Sequence, residues 1–390
     1  MLDSSRRTGC GSLGRLVGVL ALLLAGGCAP LSGSDEPLPD VLPPSPPGLR
    51  GVEDWEQRFL EQWDFEHHSS FLPASTSGDS WQLYTLAYGI DGNTAMYRAT
   101  GKIQYLDRAL LYVDNVIDTA RDSWSLPDSH FRDAYRGWAS QHPETLGDEV
   151  ALTESYCWRY VTRLLRVIRE RPALYGHTRY RKAYHRILEF TEKYIFDKWF
   201  SRGASSYIYR ENTHMASHWA YIAMNLSLMS SDPTRQVRYQ EVFHAINWHL
   251  PNHGSSLREQ LRPHPAHAEA VFWDDAWGSR SRPGQDVSHG NGVVAFITEA
   301  RDAGMEWEDP DVRALAVTLD SVIWPSARRY AEYVDGSGDG NGWFNDGFMK
   351  LGRYNVELQR RLETHLVGQN TQFYGNAALN VRILSEQPTP

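Results

Sequence analysis

From residue 51 onward, apolar side chains recur at three- and four-residue spacing in stretch after stretch, with polar side chains between them. That period belongs to helices that each bury one face. It predicts a short amphipathic start over 55–63 and then five helix pairs: 81–100 with 105–121, 146–170 with 180–200, 214–229 with 236–250, 287–303 with 312–333, and 351–363 with 370–384. Gly101-Lys102 makes the tight turn of the first pair, and Asp232-Pro233 is a helix stop and restart in the third. Short turns on one side and long polar loops on the other (123–145, 251–284, 335–346) describe an array of helical hairpins. The chain therefore reads as all-α. An open solenoid is one solution; the uneven loops favour the other, an α/α toroid, an incomplete barrel of about five to seven hairpins around a cleft.

The first fifty residues break the pattern. Arg6, Arg7 and Arg15 precede an apolar stretch over 16–24 and the tetrad Ala25-Gly26-Gly27-Cys28. A basic start, a short apolar middle and small residues before a break form an export signal, too short for a stable membrane span. The cysteine after the small residues resembles a bacterial lipoprotein signal, which implies cleavage after residue 27 and acylation of Cys28. An ordinary secreted protein is the alternative. Seven prolines over 29–50 make an extended tether rather than a core. The expected division is a signal over 1–27, a lipidated tether over 28–50 and a single catalytic domain over 51–390. It describes an exported lipoprotein held by its lipid alone, at the outer membrane where the cell has one, since no aspartate follows Cys28. Cys10 leaves with the signal, so Cys157 stands without a disulfide partner, a small buried hydrophobe on a helix.

Charge narrows the choice of partner. The chain carries a net charge of −9, and loss of residues 1–27, with three arginines and one aspartate, leaves −11. That excludes nucleic acid and requires any cleft for a polyanion to gather its cations locally. Fourteen Trp and twenty Tyr provide flat faces for sugar rings, although most serve the core of a helical protein. Nothing in the sequence sets the oligomeric state.

The chemistry concentrates in the stretch that opens the third pair, Tyr207-Ile-Tyr209-Arg-Glu-Asn212-Thr-His214-Met-Ala-Ser-His218-Trp219. With Asn212 as cap, His214 and His218 share one helical face. The competing reading is a cap and two core histidines satisfied by backbone carbonyls. About 70 residues later comes Arg280-Ser-Arg282-Pro-Gly-Gln-Asp286-Val-Ser-His289-Gly-Asn291, whose bland reading is solvated loop charges and a helix cap.

The first stretch resembles the Asn-Asn-His-Ser-Tyr-Trp segment of alginate lyases with α/α-toroid folds, and more loosely other uronate-cleaving polysaccharide lyases. The resemblance implies β-elimination on an acidic, uronate-containing polysaccharide such as alginate or glucuronan. Asn212, His214 and Arg280 or Arg282 would neutralise the substrate carboxylate. His289 would move the proton, with Tyr207, Tyr209 or Tyr374 as alternatives, because no tyrosine lies between Tyr239 and Tyr330 where the family places one. His218, Trp219, Arg282, Trp277 and Asn291 would bind the sugar.

Two other classes stay open. A glycoside hydrolase would use a carboxyl pair from Glu269, Asp274, Asp275 and Asp286; a glycan-binding lipoprotein would stack sugars on Trp219, Trp273, Trp277 or Trp343. No cofactor is expected. Histidines at i and i+4 without a glutamate between them do not make a zinc protease helix. Asp335, Asp339 and Asp346 follow the spacing of a calcium loop, with a flexible glycine turn as the competing reading.

Overall fold

The computed structural model describes residues 39–277, 279, 284–368 and 370–387. The signal, Cys28 and the first part of the tether lie outside them, as do Arg280 and Arg282. Residues 36–390 form one compact unit. Among the described residues no helix is long and apolar enough to cross a membrane.

Two kinds of helix alternate along the chain, and burial tells them apart. Outer helices bury a stripe: α1 (Val52–Glu66), α3 (Ile103–Thr119), α5 (Thr178–Phe190), α7 (Pro233–Trp248), α9 (Asp309–Val317) and α10 (Val356–Leu362). Inner helices are buried nearly all round: α2 (Leu83–Thr100), α4 (Ala151–Glu170), α6 (Thr213–Met229), α8 (Val287–Asp302) and α11 (Thr371–Glu386). A 3-10 segment, Phe348–Tyr354, takes the remaining inner place. Each inner element packs on the next, α2 on α4, α4 on α6, α6 on α8, α8 on the 3-10 segment and that segment on α11. Helix α11 then packs back on α2. That last contact makes the array a toroid of helical hairpins and excludes the open solenoid.

The return contact depends on two glycines. A Cβ on Gly92 would lie 2.9 Å from the Gln372 backbone, and one on Gly375 would lie 2.4 Å from the Gly92 carbonyl oxygen. Without side chains there, α2 and α11 approach backbone to backbone.

The helix boundaries differ from the periodicity in three places. The expected helix over 180–200 passes through a π-helical stretch, Thr191–Asp197, before Lys198–Tyr207. The helix expected over 312–333 ends at Ile323 after a π-helical turn, and 351–363 divides into the 3-10 segment and α10. The only strands among the described residues are two short antiparallel ribbons, β1 (Arg121–Asp122) with β2 (Arg136–Gly137) and β3 (Arg262–Pro263) with β4 (Val271–Phe272).

The ring is filled across its middle by a buried polar layer. Lys350 Nζ donates to both oxygens of Asp91 at 2.8 and 2.9 Å, Asn376 Nδ2 to Asp91 Oδ2 at 3.0 Å, and Gln372 Nε2 to Asp91 and Asp346 at 3.0 and 3.1 Å. Arg159 and Tyr160 both donate to the Asp346 carboxylate. Burial alone would push that carboxyl up, but Arg159 above all, with Tyr160, holds it below the ordinary range. The proposed calcium loop is corrected by this arrangement. Asp346 is inside the ring on Arg159, while the Asp335 carboxylate accepts from Ser337 in the surface turn and Asp339 is exposed. No cluster of three metal-ligating side chains occurs among the described residues.

Candidate active site

All five inner helices start on the same side of the polar layer, and a cavity of about 290 Å³ opens there. Its lining repeats one spacing: Tyr84 and Tyr88 on α2, Leu152 and Tyr156 on α4, His214 and His218 on α6, Ser288 and Gly292 on α8. Residues four apart stand one above the other on a helix, so each of these four helices contributes an upper and a lower position. Trp81, His289 and Trp343 complete the wall. Trp81 is backed by His142, the two rings stacked with centroids 3.8 Å apart, and Trp343 meets Tyr88 edge-on.

A loop delivers the acidic groups. After β4, the chain runs against the entry to α6: Thr213 N donates to the Asp275 carbonyl at 2.7 Å, Thr213 Oγ1 to the Asp274 carbonyl at 2.8 Å, and Trp277 N to the Glu211 carbonyl at 3.0 Å. The adjacent aspartates are thereby separated. Asp274 turns inward, 2.7 Å from Arg262, and Asp275 stays half-exposed on the rim. Asn212 occupies the cap position of α6, but its side chain makes no cap. Its amide donates instead to Asp275 Oδ2 at 2.9 Å.

Gln285, unremarked in the sequence, fixes the protons. Trp273 Nε1 donates to Gln285 Oε1 at 2.7 Å, which orients the amide so that Nε2 faces both Asp275 Oδ1 (2.8 Å) and His214 Nδ1 (2.9 Å). An amide nitrogen has two hydrogens and no acceptor capacity. His214 Nδ1 therefore accepts, and its proton is on Nε2, a buried atom without a protein partner. Asp275 Oδ1 lies 3.6 Å from His214 Nδ1, too long for a strong bond. With the His214 Nδ1 lone pair turned toward Gln285, the donors that hold the Asp275 carboxyl below the ordinary carboxylate range are Gln285 Nε2 and Asn212 Nδ2. Burial pushes His214 down, so its imidazole is neutral near pH 7.

His289 is the opposite case. Asp286 caps α8 through the His289 backbone N–H at 3.0 Å, and the second carboxylate oxygen takes the ring Nδ1 at 2.6 Å. That hydrogen bond raises the imidazole above its ordinary value, and Asp275 adds to it. Burial opposes ionisation of Asp286, yet its bonds to His289 leave the carboxyl lowered. The two rings, His214 pushed toward the neutral form and His289 toward the cation, lie with centroids 4.4 Å apart.

Of the residues picked out in sequence, Asn212, His214, His218 and His289 come together, as do Asp275 and Asp286 from the hydrolase alternative and Trp343 from the glycan-binding one. Others do not. Trp219 is buried in the core against Phe196, and Trp277 is buried with its indole N–H on the Arg210 carbonyl. Asn291 is fully buried and ties α8 to the Trp343 carbonyl and to the Gly347 and Phe348 N–H groups. Tyr209 is packed against the core rather than lining the cavity. These four are structural, because their polar atoms or faces are already occupied by protein. Cys157 is a buried free thiol whose ionisation burial suppresses. Sequence reasoning missed Gln285, Arg159, Tyr84, Tyr88 and Tyr156; the recurring i, i+4 pairs at the helix starts are the signal that would have found the tyrosines.

No family model matches the chain, and no curated protein does. Solved structures with a related arrangement of helices are those of the α-1,6-mannanase GH76A of Salegentibacter sp. HEL1_6. One is an inactive variant, two aspartates replaced, in complex with α-1,6-mannotetrose, at 12% identity and TM-score 0.47, over 86% of this chain and all of that one. Another, of the mannanase itself, has TM-score 0.45 at the same identity and coverage. At that level the likeness assigns neither a family nor an activity. These neighbours are glycoside hydrolases, however, and not lyases. The expectation of a uronate-cleaving lyase, with its alginate-like substrate and carbon–oxygen elimination, is corrected on the chemistry of the site. Two ionised carboxylates, Asp275 and Asp286, stand beside the histidines that were to neutralise a substrate carboxylate, and the Asn212 amide is held by one of them. A third carboxylate brought to that rim would be repelled.

Proposed function

We propose that the cavity is the active site of a glycoside hydrolase acting on a polysaccharide, with Asp275 as the base and His289 as the acid. The observation that supports this most is the pairing of a half-exposed carboxylate held ionised, bonded to the Gln285 amide that also meets His214, with a raised imidazole, His289, in the wall of one aromatic-lined cavity. Environments that push two titratable groups in opposite directions separate acid from base. In the step, a water oxygen bonds to the anomeric carbon and gives its proton to Asp275. The glycosidic carbon–oxygen bond breaks, and the departing oxygen takes the proton of His289 Nε2, the ring nitrogen that Asp286 leaves free. Asp286 is a positioning residue: it fixes the ring and keeps it charged. Trp81 and Trp343 offer faces for sugar rings. With residues 1–50 read as an export signal and tether, the polymer is met outside the cytoplasm.

The test is to mix the domain over 51–390 with neutral polysaccharides, α-mannans among them, and to follow new reducing ends. Release by the wild type, lost on Asp275→Asn with the helical spectrum unchanged, supports the reading. Equal release by both proteins would remove Asp275 from the chemistry.

A further inference from the structure

Beneath the rim, the lower positions of the inner helices form a floor that the acid–base step does not use. His218 is buried, and its Nδ1 has no protein partner. Arg159 is fully buried, with Nη2 on Asp346, Nε donating to the Tyr156 carbonyl at 3.1 Å, and Nη1 without a partner. His214 Nε2, which carries the ring proton, is a third such atom. Of these side chains, His214 and His218 line the cavity, and buried polar groups are ordinarily satisfied.

Gly292, which lines the cavity, leaves room beside His218 and Arg159. A Cβ there would lie 2.8 Å from His218 Nε2 and 3.4 Å from Arg159 Nη1. Directly below, Asp346, Lys350, Asp91, Gln372 and Asn376 fill the ring, so the cavity ends at this floor. Its volume of about 290 Å³ is at the lower limit of ligand pockets. The Arg159 charge is already balanced by Asp346. A site that is polar, electrically balanced and closed suits hydroxyl groups better than a carboxylate or a passing chain.

We infer that Arg159, His218 and His214, around the space left by Gly292, form a blind subsite that binds the hydroxyls of one terminal neutral sugar ring, so that the protein works from a chain end. The inference rests on the hydrolase reading for its reaction but not for its binding. A polymer threaded through the ring has no path past the Asp346 layer, whereas a terminal ring can enter beside His289 and reach the floor.

Gly292→Ala is the sharpest probe. Alanine favours the helix that Gly292 already occupies, while its methyl group enters the subsite. His218→Asn is the second variant, and helical content is checked for both. Two readouts separate binding from reaction: titration of free mannose, glucose, galactose and glucuronate, followed by tryptophan fluorescence, and the products of end-labelled neutral oligosaccharides. The expected result is binding of a neutral hexose in preference to glucuronate, weakened about tenfold or more by either variant, with single sugars released from one end at the earliest times. Internal cuts from the start, with hexose binding unchanged in Gly292→Ala, would overturn the subsite and leave hydrolysis standing. Hexose binding that the variants abolish, in a protein that releases no reducing ends from any glycan, would support the subsite and defeat the hydrolase reading. Preference for glucuronate would overturn the assignment to neutral sugars.

Discussion

Two groups of charged residues lie on one axis of this molecule, and they do opposite work. In the polar layer, Asp346 and Asp91 are buried and surrounded by donors from Arg159, Tyr160, Lys350, Asn376 and Gln372. At the rim, His289 is bonded to Asp286 and lines the cavity, and Asp275 is bonded to Gln285 and Asn212 and half-exposed. Every carboxylate oxygen of Asp346 and Asp91 is committed to structure, and the neighbours would be stranded by its loss. Of the rim groups, His289 keeps one ring nitrogen off Asp286 and Asp275 stays half in water, so both can exchange a proton. Ionisable residues in one protein are thus sorted by what remains unbonded, not by how many bonds they make.

The largest expected effect falls on the rim. Asp275→Asn is expected to lower kcat by about 10²–10⁴-fold, the range for a general base, with little change in Tm, as read by reducing-end assays and thermal denaturation. His289→Gln is expected to do the same within that range.

Asp346→Ala reverses the pattern. It leaves Arg159 buried without its counter-charge, which costs about 3–5 kcal/mol of stability, measured by urea denaturation. If Asp346→Ala folds as well as the wild type, or Asp275→Asn unfolds, the contrast between layer and rim is broken.

A pH profile sharpens it further. Activity requires Asp275 ionised and His289 protonated, so it is expected to hold through mildly acidic pH and to fall as pH rises through the raised value of His289, above the ordinary 6.5. Asp286→Asn removes the main cause of that rise and is expected to move the basic limb to lower pH. The linkage to stability has the same sign. The His289 contribution is fully present below the ordinary imidazole value and lost as pH rises through the folded one; the Asp286 contribution is present above the ordinary carboxylate value and lost as pH falls through its lowered one. Both are small, because these groups are partly in water. A basic limb unmoved in Asp286→Asn would take the positioning role from Asp286.

Asn212→Ala is the smallest change. It removes one hydrogen bond to Asp275, worth about 1 kcal/mol, and is expected to raise the carboxyl and bring the acidic limb inward without loss of fold.

How much of this was legible in the sequence depends on distance along the chain. The hairpins were legible, because amphipathic period and turn residues are local; so were Asn212, His214 and His218, close together on one helix start. His289 and Asp286 were found as a cap and its neighbour, though for a different reaction. Gln285 was not legible, since its role is to lie between Asp275 and His214, which only the folded loop brings together. Trp219 and Asn291 misled for the converse reason: residue types common in sugar sites are equally common as core and as ties between backbone segments. Arg159 looks like an amphipathic surface residue of α4 until the ring surrounds it.

The central claim is hydrolysis at the rim, and the most direct measurement is the reaction of a neutral polysaccharide in oxygen-18 water, with products read by mass spectrometry and ultraviolet absorbance. The expected result is one heavy oxygen incorporated at each new reducing end and no conjugated double bond, both dependent on Asp275. Cleavage without incorporation, accompanied by rising absorbance, would contradict it.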